Sequence, residues 1–180
     1  MPFVGGASAA RRFFDRLAPW YDRINARIYK RAWLDRVRGA IRGTRVLDVG
    51  VGTGFTTGHL DGGVGLDLSR EMLRRARYRG HVVQGNFLRP PFRPGRFDTV
   101  VFAGSLYYMD DPLEALRIAA DLLAPKGIVI VLSPATVLLA PFVRILGPAA
   151  YARLFQDAGL VLESYERLNW AACLVRARRA

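Results

Sequence analysis

The sequence predicts an α/β fold, a doubly wound and mostly parallel sheet with helices on both faces. Three observations predict it. Short apolar runs near residues 45–49, 63–67, 81–84, 97–103 and 127–132 read as strands, with helical periodicity between several of them. The run Phe97-Asp-Thr-Val-Val-Phe-Ala is nearly continuous in apolar character, as a strand covered on both faces requires. A glycine-rich turn, Gly50-Val-Gly52-Thr-Gly54, directly follows the first of these strands, and ligands of doubly wound sheets bind beyond the carboxyl ends of strands.

Taken in order, the chain opens with apolar residues at helical spacing: Phe13, Phe14, Leu17, then Trp20, Tyr21, Ile24, Ile28, then Trp33, Leu34, Val37, Ile41. Two amphipathic helices are expected here, broken at Pro19. The strand Arg45-Val-Leu-Asp-Val runs into the glycine turn, and a helix is expected from about Thr56. Gly63-Val-Gly-Leu-Asp67 is a second strand, and Ser69–Tyr78 a helix with Ser69 as its N-cap. His81-Val-Val-Gln is a third strand, and the prolines of residues 88–95 stiffen a loop. The fourth strand, Phe97–Ala103, precedes a helix at Pro112–Leu123, a turn at Pro125-Lys-Gly and a fifth strand at Gly127–Leu132. An apolar loop or helix at Ala135–Leu146 follows, then a helix near Ala149–Ala158 stopped by Gly159. Val161–Leu168 and Ala171–Arg176 form two closing strands, readable as a hairpin.

A chain of 180 residues with 51% hydrophobic content suits one domain with a sizeable core. It divides into a helical segment at 1–43, a core at 44–133 and a cover with closing strands at 134–180. The formal charge is +12, and Lys30 and Lys126 are the only lysines among 27 cations. Eleven cations fall within residues 1–45, against Asp15, Asp22 and Asp35. Such a surplus attracts nucleic acid, anionic lipid or an acidic partner, or is simply a solvated basic surface. Cys173 stands alone, so an intrachain disulfide is excluded. The start lacks a charged segment followed by an apolar one, so no signal peptide is expected. Pro134, Pro141 and Arg144 interrupt the longest apolar stretch, a poor membrane span. These features predict a cytoplasmic protein, with peripheral membrane contact left open. Neither His59 nor His81 has a partner at metal-ligand spacing, so no metal site is read.

The chemistry concentrates at strand ends. In Val46-Leu-Asp48-Val-Gly50-Val-Gly52-Thr-Gly54-Phe, Phe55 occupies the place where a dinucleotide fingerprint needs its third glycine. Asp48 would repel a pyrophosphate but suits a cationic amino-acid cofactor. Asp67, Gln84-Gly85-Asn86-Phe87 and Ala103-Gly104-Ser105-Leu106-Tyr107-Tyr108 follow in sequence at the ends of later strands. This series resembles the class I S-adenosylmethionine-dependent methyltransferases over residues 44–133. The resemblance implies a Rossmann-like, seven-stranded sheet with an antiparallel C-terminal strand. It implies S-adenosylmethionine as cofactor and S-adenosylhomocysteine as product. Cofactor contacts carry over to Asp48, Gly50, Gly52, Gly54, Asp67, Leu68, Asn86, Phe87, Ala103, Gly104 and Ser105. Asp67 would grip both ribose hydroxyls. Asn86, which departs from the family's usual aspartate, would accept from the adenine amino group. Tyr107 and Tyr108 border the methyl-transfer centre, where stacking and plain packing are both open readings.

Phe14-Asp15-Arg-Leu-Ala18-Pro-Trp-Tyr21-Asp22-Arg-Ile-Asn25 is similar to the start of the ubiquinone/menaquinone biosynthesis methyltransferases, of the methyltransferase type 11 kind. There the helix folds over the cofactor, which makes Tyr21 an active-site candidate and residues 1–43 a lid. An apolar cover and a basic amphipathic start suit a lipophilic small-molecule acceptor, such as a quinone precursor or a lipid. An RNA or protein methyltransferase is the enzymatic alternative, and a non-catalytic S-adenosylmethionine-binding protein the alternative of another class. The acceptor atom, the general base and the oligomeric state are not legible in the sequence.

Overall fold

The computed structural model describes residues 6–141 and 143–180. Residues 1–5, where no signal peptide is expected, and Phe142 of the apolar cover lie outside the described residues.

Seven strands form one sheet in the order β3-β2-β1-β4-β5-β7-β6. They are β1 (Val46–Val49), β2 (Val64–Asp67), β3 (His81–Gln84), β4 (Phe97–Ala103), β5 (Leu123–Pro134), β6 (Leu160–Arg167) and β7 (Ala172–Arg179). β1 pairs in parallel with β2 and β4, β2 with β3, and β4 with β5. β7 inserts antiparallel between β5 and β6, so the hairpin read in the closing segments is present. The chain order reverses between β1 and β4, which opens a crevice at their carboxyl ends.

Among the described residues six α-helices accompany the sheet: α1 (Ala7–Leu17), α2 (Tyr21–Ile28), α3 (Arg31–Ala40), α4 (Arg70–Leu73), α5 (Pro112–Leu122) and α6 (Pro148–Asp157). Alternation along the strands divides the core. Leu47, Val49, Val100, Phe102, Val129 and Val131 join one cluster, to which α5 gives Leu116 and α6 gives Tyr151 and Phe155. Val46, Val101, Ile128, Ile130 and Leu132 face the other way, onto Trp33 and Val37 of α3. α5 starts at a local signal: Asp111 accepts from the Glu114 amide at 3.0 Å, with Pro112 in the first turn.

Four local expectations are corrected. The N-terminal segment forms three helices, because Tyr29 and Lys30 take extended backbone and separate α2 from α3. No regular helix follows the glycine turn. The Gly58 amide bonds the Gly54 carbonyl at 2.8 Å, and the Arg79 amide closes onto Gly58, ending the turn. α4 stops at Leu73 although Ser69 caps it as expected, since the Arg77 amide is drawn to the Thr53 carbonyl at 2.9 Å. β5 begins earlier than Gly127 and carries the Pro125-Lys126-Gly127 turn as a bulge: Phe97 pairs with Leu123, but Thr99 with Ile128. Lys126 there has φ of 65°.

Candidate functional site

Four strand ends deliver the site. β1 ends at Val49 and the chain turns through Gly50 and Gly52, both at positive φ. A Cβ at Gly50 would strike the Cβ of Ser105, so this turn lies against the chain leaving β4. Ser105 closes that contact by donating its hydroxyl to the Val49 carbonyl at 2.5 Å. Asp67 ends β2, Gly85-Asn86 follows β3, and Ala103-Gly104 ends β4.

These termini surround a cavity of about 750 Å³, counting its open mouth. Gly50, Gly52, Asp67, Leu68, Asn86, Phe87, Ala103, Gly104, Ser105, Tyr21 and Tyr108 all line it. The structure thus brings together most of the residues that the sequence singles out. Three stand elsewhere. Gly54 is turned away, and a Cβ on it would meet the Arg77 carbonyl oxygen at 2.8 Å, so its φ of 81° serves the turn. Asp48 borders a small side cavity with Tyr21, Asn25 and Tyr29. Tyr107 lines a second, larger cavity.

Both Asp67 oxygens are already oriented: Oδ2 accepts from the Gly52 amide and Oδ1 from the Ser69 amide, each at 2.8 Å. A carboxylate oxygen has two acceptor sites, so capacity remains for a diol in the cavity. Burial raises the Asp67 pKa, and the amides of Ser69, Gly52 and Leu68 oppose that rise. Asp48 is fully buried. Thr57 donates to its Oδ2 at 2.5 Å, while Oδ1 is, among the described residues, a buried side-chain acceptor with no partner. Burial pushes the acid up to about 7, with the nearby Asp67 charge adding to the rise. An unpartnered buried acceptor one glycine turn from an oriented carboxylate fits a ligand carrying both an ammonium and a ribose, as S-adenosylmethionine does. Asn86 Oδ1 accepts from the Leu88 amide at 3.0 Å, fixing an Asx turn at the cavity wall.

The N-terminal helices close the front. Ser69 donates its hydroxyl to Asp15 of α1, and Thr53 donates to Asp22 of α2 at 2.5 Å. Phe14 meets Tyr21 edge-on at 5.8 Å between ring centres and Tyr108 at 5.3 Å. Phe14, Tyr21, Gly104 and Tyr108 line both the first cavity and the larger one, which encloses about 1480 Å³ counting its mouth. Tyr29, Trp33, Tyr107, Leu132 and Ala172 make that second chamber mainly apolar and aromatic, and Lys30 stands on its wall. Burial raises the pKa of Tyr21, Tyr29 and Tyr107, and lifts Tyr108 to about 12, so these phenols stay neutral.

Reading by motif missed Phe14, Asn25, Tyr29 and Lys30 as wall residues. Phe14 and Asn25 sit inside the quoted N-terminal motif, which was the available signal. Tyr29 and Lys30 reach the chamber because the chain is extended there, a break that helical periodicity concealed.

Residues 47–131 match the family model of a methyltransferase domain. A demethylmenaquinone methyltransferase of Renibacterium salmoninarum is 33% identical over 132 residues, which is 66% of this chain and 55% of that protein. The chain spans little more than half the length of this and of similar curated relatives. Among solved structures, a Thermotoga maritima S-adenosylmethionine-dependent methyltransferase, described as a possible histamine N-methyltransferase, superposes with a TM-score of 0.78. It is 20% identical, and the match covers 94% of this chain and 99% of that one. The cyclase SpnF superposes at 0.81 with 16% identity, covering 99% and 98%. Residues 47–131 thus match a methyltransferase domain, and the sheet that carries them has the fold of the solved S-adenosylmethionine-dependent methyltransferases.

Proposed function

We propose that this protein transfers a methyl group from S-adenosylmethionine to a lipophilic, ring-bearing small molecule of the quinone-precursor class. The observation that carries the reading is the junction of two chambers at Phe14, Tyr21, Gly104 and Tyr108: one polar at its strand ends, the other apolar and aromatic. The likeness to a demethylmenaquinone methyltransferase supports the acceptor class.

When bound, S-adenosylmethionine supplies a methyl group already activated on a sulfonium. The chain's own residues then have to bind, align and keep water out, which is worth roughly 7–11 kcal/mol at best. Asp67 would hold the ribose through its free acceptor sites, and Asp48 would meet the ammonium from the side cavity that shares Tyr21, Gly50 and Ala103 with the first. Asn86 and Phe87 close on the adenine, with Gly50, Gly52, Leu68, Ala103 and Ser105 in van der Waals contact. The helices of residues 7–40 act as the lid. Tyr21 and Tyr108 flank the path of the methyl group, and Tyr107 with Tyr29 packs the acceptor side. As neutral phenols they donate hydrogen bonds and do not take the acceptor's proton. Among the described residues the acceptor chamber is lined by no carboxylate or imidazole. The acceptor therefore enters as a phenolate, its proton already released to water at the interface, with the Lys30 ammonium stabilising the negative charge.

Calorimetric titration with S-adenosylhomocysteine tests the cofactor site. Asp67→Ala is expected to weaken binding by about ten- to a hundredfold, as charge-assisted hydrogen bonds of about 1.5–3 kcal/mol are lost. Transfer of labelled methyl to a prenylated hydroquinone then tests the acceptor. The same fold is carried by the cyclase SpnF, so the second reading to test is cofactor binding without methyl transfer. Tight binding with no transfer to hydroquinone, lipid or RNA acceptors would select it.

A further inference from the structure

Three residues on the wall of the larger chamber are also among the large exposed hydrophobics: Phe13 at 43%, Ile28 at 57% and Trp170 at 65% exposure. A side chain that both lines a cavity and stands in solvent lies at its mouth. Val137 and Leu138, exposed at 77% and 72%, sit on the neighbouring segment, whose Val143 walls both this chamber and an adjoining groove. Apolar side chains from α1, α2 and the β6–β7 turn therefore gather around one opening, and exposed Val137 lines the groove beside it. Single exposed apolar residues are ordinary on any surface, but a ring of them at a cavity mouth marks an interaction site.

Cations accompany the ring. Lys30 lines the chamber, with Arg27 and Arg31 beside Ile28 and Lys30 in the chain, and Arg144 and Arg167 line the adjoining groove. Arg167 Nη2 donates to the carbonyl of Trp170 at 3.1 Å, which ties a guanidinium to the exposed indole's own turn. Among the described residues, none of these five cations forms an ion pair with a carboxylate, whereas Arg36, Arg42 and Arg45 on other surfaces do.

We propose that this mouth is a docking surface for an anionic lipid bilayer. The apolar ring enters the interfacial layer, the unpaired arginines engage headgroup phosphates, and the acceptor passes from the bilayer surface into the chamber. The inference rests on reading the larger chamber as the acceptor site. An amphipathic aromatic such as Trp170 is at its most stable at this depth, and juxtaposed lysine and arginine supply attraction that neutral lipid does not return. A +12 chain also attracts RNA, but aliphatic Ile28, Val137 and Leu138 gain nothing from a polyanion in water.

The test is cosedimentation of the full chain with vesicles of phosphatidylcholine alone, and of phosphatidylcholine containing about a third phosphatidylglycerol, at about 0.1 M salt. Binding to the anionic vesicles is expected, weakened by higher salt, with partitioning at least about tenfold lower in the double variant Ile28→Ser, Trp170→Ser. That variant leaves the charge unchanged and alters exposed side chains. Equal binding by parent and variant would reduce the effect to diffuse charge attraction and overturn the proposal. So would no binding to anionic vesicles, or tighter retention on an RNA homopolymer than on them. Vesicle binding requires no methyl transfer, and S-adenosylhomocysteine affinity measured separately on both proteins shows whether the cofactor site is intact. Failure here and failure of the methyltransferase reading are therefore distinguishable.

Discussion

Asp48 and Asp67 sit at the ends of neighbouring parallel strands, yet their surroundings give them different work. Asp67 is held at both oxygens by backbone amides, whereas Asp48 is held at one and unpartnered at the other. The Asp48 acid has a folded value of about 7 against an ordinary 3.8. A carboxyl raised in the folded state contributes stability below its ordinary value, and that contribution is lost as the pH climbs through about 7. A ligand ammonium beside Oδ1 reverses the preference by favouring the ionised form. Affinity for S-adenosylhomocysteine is therefore expected to rise between pH 6 and pH 8, by at most about tenfold per pH unit, with one proton released on binding. Calorimetry in buffers of different ionisation heat measures that proton. Asp48→Asn should flatten the profile, and a parent protein whose affinity does not change over this range would place the ammonium elsewhere.

At the scale of elements, the helical segment is fastened to the glycine turn and to the start of α4 by side chains that a sequence reading passes over. Asp15 takes the Ser69 hydroxyl and Asp22 the Thr53 hydroxyl, so α1 and α2 each carry one latch. Each such bond contributes about 1 kcal/mol. Asp15→Ala combined with Asp22→Ala should raise the rate of proteolytic cleavage in residues 7–30 severalfold in the absence of cofactor. S-adenosylhomocysteine should dissociate faster, read by stopped-flow fluorescence, and the melting temperature should fall by about 4–8 °C. Unaltered cleavage would mean that Phe14 packing alone seats these helices. The strands and α5 and α6 were legible because burial on two faces and local caps leave their marks within a few residues. The helices beside the glycine turn were not. Their ends depend on backbone bonds such as Arg77 to Thr53 and Arg79 to Gly58, whose partners are more than twenty residues away in the chain. The site was legible in the same proportion. Asp67, Gly50 and Gly52 announce themselves by strand-end position, whereas Tyr29 and Lys30 join it only because α3 crosses behind β5 and leaves them extended over the chamber.

For the molecule as a whole, the two core clusters share strands β1, β4, β5 and β7 and differ only in which face of each strand they use. Phe102 and Ile130 are both fully buried, one on each side. Truncation to alanine should cost about 3–5 kcal/mol at Phe102 and about 2–5 kcal/mol at Ile130. For a domain of this size that lowers the melting temperature by about 10 °C. Because the faces are joined through common strands, a single transition is expected by calorimetry in both variants. Two separated transitions would show that the helical segment and the sheet unfold independently. The two variants should differ in binding. Phe102 meets Phe87 edge-on at 5.4 Å, and Phe87 walls the strand-end cavity proposed for the cofactor, so Phe102→Ala should also weaken S-adenosylhomocysteine. Ile130 faces Trp33 and Val37, and Trp33 walls the larger chamber proposed for the acceptor, so Ile130→Ala should leave that affinity within about twofold and act instead on acceptor KM. Equal losses of cofactor affinity in both would mean that the two chambers respond as one, and that packing behind the sheet does not separate donor from acceptor.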